Sequence, residues 1–214
     1  SSGKLISPAD NIFDRKALDV KIDAVLESMS DGSKIRTSLV KILTEARANG
    51  MAAIARSFAK KPFSAHPTTS SYSYLTDCLI ETAYCAIVRH LYPTQFSTTG
   101  ERLVLIAVGG YGRGEMAPFS DVDLLFVVPY KITAWAENIV ESLLYVLWDL
   151  KIKVGHACRT INECMKLARE DYTIRTSLVE MRYLLGEVRT FEDLREQLRE
   201  NLFKSTIEDF TEAK

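Results

Sequence analysis

The sequence predicts an α+β fold in which a small mixed sheet is covered by helices, with further helical segments toward both ends. Two apolar runs typical of buried strands, residues 103–108 and 121–128, flank a glycine-rich turn. An amphipathic helical pattern at 133–150 then leads into a third strand at 151–158. Strands and helices in this order form a sheet with helices packed on its faces.

The chain ahead of the first strand has apolar residues at helical spacing. We predict three helices there: 17–29, 34–60 and 72–91. The polar stretch 64–71 predicts a loop between the second and third helices. Residues 1–16 show no regular pattern, so we expect them to be poorly ordered.

The last third of the chain is predicted to be helical. Thr160 with Glu163 and Thr190 with Asp193 form two capping-box patterns, and Gly186 has the character of a helix C-cap between them. The chain therefore divides into three parts: an N-terminal helical region at 1–71, a central domain at 72–186 and a C-terminal helix at 187–214.

Composition excludes several classes of protein. A formal net charge of −1 gives no electrostatic case for binding nucleic acid, which usually needs a basic excess. No apolar run approaches the roughly 20 residues that cross a bilayer, so no membrane segment is expected. The four cysteines lack Cys-x-x-Cys spacing, which argues against a zinc site or a disulfide framework and favours the reducing cytoplasm.

The glycine-rich turn and the second strand carry the most informative residues. The first strand ends in Gly109-Gly110, where the backbone can closely approach another group. Asp121 and Asp123 begin the second strand, with α carbons about 6.5 to 7 Å apart and side chains on the same side. Val122, between them, is expected to point into the core.

This pattern indicates phosphate chemistry. Two carboxylates on one face repel each other, and a divalent cation relieves that repulsion. Mg²⁺ suits them, because it commonly takes one or two carboxylates together with waters and substrate phosphates. The free N–H groups of residues 110–112 could hold phosphate oxygens, and Arg113 could add a charged fork. Glu115 and Met116 stand where a dinucleotide or P-loop motif needs other residues, which excludes both.

The same residues resemble a known superfamily. Gly109-Gly110 followed by Ser120-Asp-Val-Asp123 resembles the nucleotidyltransferase superfamily that includes polymerase beta. The longer string GGYGRGEMAPFSDVDLLF resembles the N-terminal catalytic domain of the bacterial PII uridylyltransferase/uridylyl-removing enzymes. Residues 147–160, LWDLKIKVGHACRT, and 167–178, LAREDYTIRTSL, are similar to that family as well.

The resemblance implies a polymerase beta-like fold and an activity. It implies Mg²⁺-dependent transfer of UMP from UTP to a tyrosine of the PII nitrogen-signalling protein, with release of pyrophosphate. Asp121 and Asp123 would hold the metal. The nucleotide would be bound by five further residues: Gly109, Gly110, Arg113, Ser120 and Arg159. An HD hydrolase domain and glutamine-sensing ACT domains are expected outside these 214 residues.

The third strand departs from the wider superfamily. Related enzymes commonly carry a third acid there, but residues 151–159 contain none. His156 could instead serve as the general base, and a purely structural histidine is an equal alternative. Two other functions also stay open: nucleotidyl transfer to a different acceptor, and a regulatory module that binds a nucleotide without turnover.

Overall fold

The computed structural model describes residues 4–93, 102–114 and 116–212, with side chains described through Asn201. Within these residues the helices are α1 Ala9–Ile12, α2 Arg15–Leu26, α3 Gly32–Lys60, α4 Ala65–His90, α5 Gly109–Gly112, α6 Ala134–Asp149, α7 Ile161–Glu170, α8 Tyr172–Val179 and α9 Val188–Glu212. The strands are β1 Val104–Ala107, β2 Val122–Val128, β3 Val154–Thr160 and β4 Arg182–Gly186. In this part of the chain, no helix combines the length and apolarity needed to cross a membrane.

The four strands form a mixed sheet in the order β3-β2-β1-β4. β1 pairs antiparallel with β2 and β4, whereas β2 and β3 run parallel. A parallel pair needs a crossover, and α6 supplies it between β2 and β3. The predicted α+β class with a small mixed sheet is confirmed.

The sheet has helices on both faces because the side chains of β2 alternate between them. Val122, Leu124 and Phe126 pack in a core with α3, α4 and α6, and Val122 is fully buried, as predicted. Leu125 and Val127 pack on the other face against α7, α8 and α9. We call these the α6 face and the α8 face of the sheet.

The N-terminal region is more regular than the sequence suggested. Within the expected disordered stretch, residues 4–16 include α1, and Ile12 and Phe13 are buried in the core of the α6 face. Residues 1–3 lie outside the described part. That core runs continuously from the N-terminal helices to the sheet, so the division at residue 71 stays a prediction.

The predicted loop at 64–71 is wrong, because α4 already begins at Ala65. Its polar residues fit a helix by donating hydrogen bonds to carbonyl oxygens one turn earlier. The Thr68 hydroxyl donates to Ser64 at 2.7 Å, and the Ser71 hydroxyl donates to Pro67 at 2.7 Å. Serine and threonine bonded in this way are tolerated in helices, which the loop prediction overlooked.

The C-terminal third contains a strand that the sequence did not predict. β4 pairs with β1, and Gly186 ends this strand instead of capping a helix. Gly186 adopts a φ of +102°, and a β carbon there would lie 2.2 Å from the Leu103 carbonyl oxygen. α9 begins at Val188, so the Thr190 pattern lies inside the helix. The Thr160 capping box is confirmed at the start of α7.

Candidate active site

A cleft of about 350 Å³ opens on the α8 face, between the first halves of β2 and β3 and helix α8. Asp123 lies on its β2 side. The other lining residues come from the end of β1, from β2 and β3, and from α8: Val108, Leu124, Leu125, Gly155, His156, Ala157, Arg159, Thr173, Ile174, Ser177 and Leu178.

The carboxylate of Asp123 is held between two glycines. Gly109 has a φ of +58°, and a β carbon there would lie 3.2 Å from Asp123 Oδ2. Gly155 is the direct β3 partner of Asp123, and a β carbon there would lie 2.6 Å from Oδ1. Any side chain at 155 would collide with the carboxylate. The position on β3 directly opposite Asp123, on the same face of the sheet, is therefore occupied by a glycine.

Asp121 lies immediately before β2 and is exposed. It stands two residues before Asp123 but outside the strand, and it is not among the residues that line the cleft. No cluster of three or more metal-binding side chains occurs among the described residues. A pair of carboxylates still fits Mg²⁺, which completes its octahedral shell with waters and substrate phosphates. The donor set is all oxygen, as this hard cation requires.

The two candidate arginines have different surroundings. Arg159 pairs with Val127 in the sheet register, so its side chain leaves β3 on the α8 face and lines the cleft. Arg113 lies over the glycine turn, where its Nη1 donates to Glu180 Oε2 at 2.7 Å. Its Nη2 is 3.6 Å from the position of a β carbon on Gly110. Arg113 is thus close to the turn but already paired with a carboxylate.

The structure does not bring His156 to the carboxylates as the sequence suggested. His156 pairs with Leu124 in the register, so its side chain leaves β3 on the α6 face, although the residue borders the cleft. Its ring meets the Trp148 ring edge-on, with centroids 6.2 Å apart. This packing favours the structural alternative for His156 over the general base.

Ser120 is not among the residues that line the cleft beside Asp123. It ends a turn in which its N–H donates to the Ala117 carbonyl oxygen at 3.2 Å. The residue lines a second, smaller cavity of about 100 Å³, together with Lys151 and Lys153. The predicted phosphate contact of Ser120 stays a prediction.

Sequence reasoning missed the contribution of α8. Thr173 and Ser177 place two hydroxyls one turn apart toward the cleft, and Ile174 and Leu178 add apolar surface. Ser177 Oγ lies 4.0 Å from the position of a β carbon on Gly109. The spacing of these residues signals an amphipathic helix, but only the fold reveals that this helix covers the Asp123 side of the sheet.

Comparison with known proteins identifies a domain family and several relatives. Residues 93–184 match the model of the nucleotidyltransferase domain family. The chain is similar to proteins named bifunctional uridylyltransferase/uridylyl-removing enzyme: 48% identical over 95% of its length in Ruegeria pomeroyi, 44% over 98% in Cereibacter sphaeroides and 43% over 96% in Caulobacter vibrioides. It spans 22 to 23% of the length of these relatives.

The mixed sheet, the glycine turn and the paired aspartates all lie within, or directly beside, the matched region. The similarity to the uridylyltransferases extends beyond that region to nearly the whole chain. Residues 93–184 therefore carry a nucleotidyltransferase domain, and nearly all of the chain is homologous to one part of the bifunctional uridylyltransferase/uridylyl-removing enzymes.

Proposed function

We propose that this chain transfers UMP from UTP to a tyrosine hydroxyl of a PII signalling protein, with Mg²⁺, and releases pyrophosphate. The position of the Asp123 carboxylate is the observation that supports this proposal most. It lies between Gly109 and Gly155, at a cleft of about 350 Å³, a volume in the range of small-molecule sites. The uridylyl group follows from the names of the relatives, and the PII acceptor from the resemblance of the motifs.

The proposed metal site is the pair Asp121 and Asp123. Mg²⁺ bound there would neutralise triphosphate charge and polarise the phosphorus that is attacked. The chain's own residues orient the nucleotide. The first N–H groups of a helix have no partner inside the helix, so those of Gly109 and Gly110 at the start of α5 are suited to phosphate oxygens.

Arg159 and α8 complete the proposed nucleotide site. The Arg159 guanidinium would stabilise negative charge on the departing pyrophosphate, a role that fits its place in the cleft. The apolar residues Ile174 and Leu178 suit the faces of the base, and the hydroxyls of Thr173 and Ser177 suit its polar edge or the ribose. The tyrosine oxygen attacks the α phosphorus and its proton passes to solvent, while the bond from that phosphorus to the bridging oxygen of the β-phosphate breaks and pyrophosphate leaves. We leave His156 out of this step because its ring packs on Trp148.

We further propose a reducing cytoplasmic location, since all four cysteines are free.

The direct test is pyrophosphate release from each of the four nucleoside triphosphates with Mg²⁺, with and without purified PII protein. We expect release from UTP only when PII is present. Release from UTP with a different acceptor would keep nucleotidyl transfer but exclude the PII assignment. Saturable binding of Mg²⁺–UTP without release under any condition would replace the proposal with a non-catalytic binding module.

A further inference from the structure

A largely buried charged network lies beneath the glycine turn and links three elements that are far apart in sequence. Asp77 is on α4, Tyr111 is in α5 and Arg182 begins β4. Arg182 Nη1 donates to Asp77 Oδ2 at 2.7 Å, and Nη2 donates to Oδ1 at 3.1 Å. The Tyr111 hydroxyl donates to the same Oδ1 at 2.5 Å. We call these three residues the Asp77 network.

Arg182 also holds the backbone of the turn. Its Nε donates to the Gly112 carbonyl oxygen at 3.2 Å, and its Nη2 donates to the Tyr111 carbonyl oxygen at 3.2 Å. The guanidinium carbon lies 5.3 Å from the centre of the Tyr111 ring. One side chain therefore binds two carbonyl groups of α5, the ring of Tyr111 and both oxygens of Asp77.

The three residues of the Asp77 network satisfy one another's polar groups away from solvent. Tyr111 is 2% exposed and Asp77 is 8% exposed. Burial, and then the Asp77 carboxylate, raise the pKa of the Tyr111 hydroxyl well above its ordinary value, so this hydroxyl remains a donor. Burying charges in this way often contributes little net stability compared with an apolar core. Such a network can instead determine a unique geometry.

That geometry is transmitted to Asp123 through the backbone of the turn. Gly112 packs so closely that a β carbon there would lie 2.2 Å from the Glu180 carbonyl oxygen. At the other end of the turn, Gly109 abuts the Asp123 carboxylate, and the neighbouring Val108 N–H donates to the Asp123 carbonyl oxygen at 3.1 Å. A shift of the turn would therefore change the space around the carboxylate.

We propose that Asp77, Tyr111 and Arg182 are positioning residues for nucleotidyl transfer, which fix the glycine turn against Asp123 without touching the nucleotide. This inference rests on the proposed function of the cleft. It differs from a purely structural tie between α4 and β4, because a structural tie predicts general destabilisation. Positioning predicts a local change at the turn and in catalysis while the rest of the fold keeps its stability.

Two conservative variants distinguish a positioning role from a purely structural one. Tyr111→Phe removes one hydroxyl and leaves the Asp77–Arg182 pair in place. Arg182→Lys keeps the charge but loses the planar fork that reaches carboxylate and carbonyl groups together. Tyr183→Phe is the matched control for the first, since its hydroxyl bonds the Gly186 carbonyl oxygen on the same strand as Arg182. Arg89→Lys is the control for the second, since Arg89 pairs with Asp23 away from the turn.

The first readout is amide hydrogen exchange, which does not depend on activity. The amides of Gly112 and Gly114 donate to the Val108 and Tyr111 carbonyl oxygens, both at 3.1 Å, and report directly on the turn. We expect Tyr111→Phe and Arg182→Lys to speed their exchange about tenfold or more. The amides of β2 and α6 should exchange as in wild type, and both control variants should leave the turn unchanged.

The second readout is transfer of UMP to PII at saturating Mg²⁺–UTP. We expect kcat to fall about ten- to a hundredfold in the two network variants, because small displacements of catalytic groups are costly, and to stay unchanged in the controls. Wild-type exchange at the turn in both network variants would overturn the inference. So would faster exchange spread equally over the whole sheet, or an undiminished kcat in variants with a loosened turn. Absence of transfer by the wild-type chain would instead refute the proposed function.

Discussion

At the scale of single residues, the candidate site depends on two glycines, which have no side chains to collide with the Asp123 carboxylate. Asp123 can occupy its position because Gly109 and Gly155 have no β carbons. The sequence shows the first glycine as part of an informative motif. Gly155 attracts no attention there, because its importance follows from its pairing with Asp123 across two strands that lie far apart in the chain.

Replacing Gly155 with alanine should disturb the carboxylate selectively. The new β carbon would lie 2.6 Å from Asp123 Oδ1, so Asp123 must move. We expect kcat/KM for transfer to fall about a hundredfold, with a minor change in the thermal unfolding midpoint. Steady-state kinetics and calorimetry measure the two quantities. Gly32→Ala is the control, because its β carbon meets only Leu91 Cδ2 at 3.4 Å. Wild-type kinetics in Gly155→Ala would refute this role of the glycine.

His156 illustrates what the sequence cannot supply. His156 follows Gly155 directly, and the string around it suggests a place near the aspartates. Side chains alternate along a strand, so a one-residue difference in register decides which face the ring occupies. The observed register pairs His156 with Leu124 and directs it toward Trp148. Arg159, an odd number of residues away, lies on the opposite face and lines the cleft.

At the scale of elements, the strand-turn-strand unit was predictable and its surroundings were not. β1, the glycine turn and β2 are adjacent in sequence, so local pattern and turn residues define them. β4 is five residues long, and it forms a strand by pairing with β1, which lies about 80 positions earlier in the chain. The start of α4 was missed because its serines and threonines bond within the helix.

Helix α8 should contribute to nucleotide affinity through its cleft-facing hydroxyls. We expect Ser177→Ala to raise the dissociation constant for Mg²⁺–UTP about three- to tenfold, the usual loss of affinity for one hydrogen bond. Isothermal titration calorimetry measures it. Thr176→Val is a matched control, since the Thr176 hydroxyl is exposed and donates within the helix to the Tyr172 carbonyl oxygen at 2.9 Å. Equal affinities of Ser177→Ala and wild type would exclude Ser177 from the nucleotide site.

At the scale of the whole molecule, helices on both faces of one small sheet create the site and stabilise it. The apolar surface on the α6 face is continuous with the N-terminal helices, whereas the α8 face leaves a cleft beside Asp123. The fold class was predictable because strand and helix patterns alternate clearly. The assignment of elements to faces was not, because it depends on pairings between distant segments.

The buried thiol of Cys164 should make stability sensitive to alkaline pH. Burial raises the pKa of this thiol from 9.0 to about 11 in the folded chain. Below the lower value both states hold a neutral thiol. Between the two values the unfolded state loses its proton and the folded state does not, so the free energy of unfolding falls as pH rises.

We therefore expect the stability cost of Cys164→Ala to be smaller at about pH 10.5 than at about pH 8, by on the order of 1 to 2 kcal/mol. Urea unfolding of both proteins at the two pH values measures the cost. Lysines and surface tyrosines titrate alike in the two proteins, so their contribution cancels when the free energies of unfolding are subtracted. An identical cost at both pH values would show that the Cys164 thiol is not shielded as the fold indicates.

The Asp123 carboxylate is the group on which the proposed nucleotidyl transfer depends most. The most direct measurement compares wild type, Asp123→Asn and Asp149→Asn in modification of purified PII with Mg²⁺ and UTP, followed by intact-protein mass spectrometry. Asp149 is an exposed carboxylate at the end of α6, away from the cleft. We expect PII to gain one uridylyl group per subunit with wild type and with Asp149→Asn. Asp123→Asn should be slower by at least about 10²- to 10³-fold while its thermal unfolding is unchanged. Wild-type modification rates in folded Asp123→Asn would show that this carboxylate has no role in the transfer.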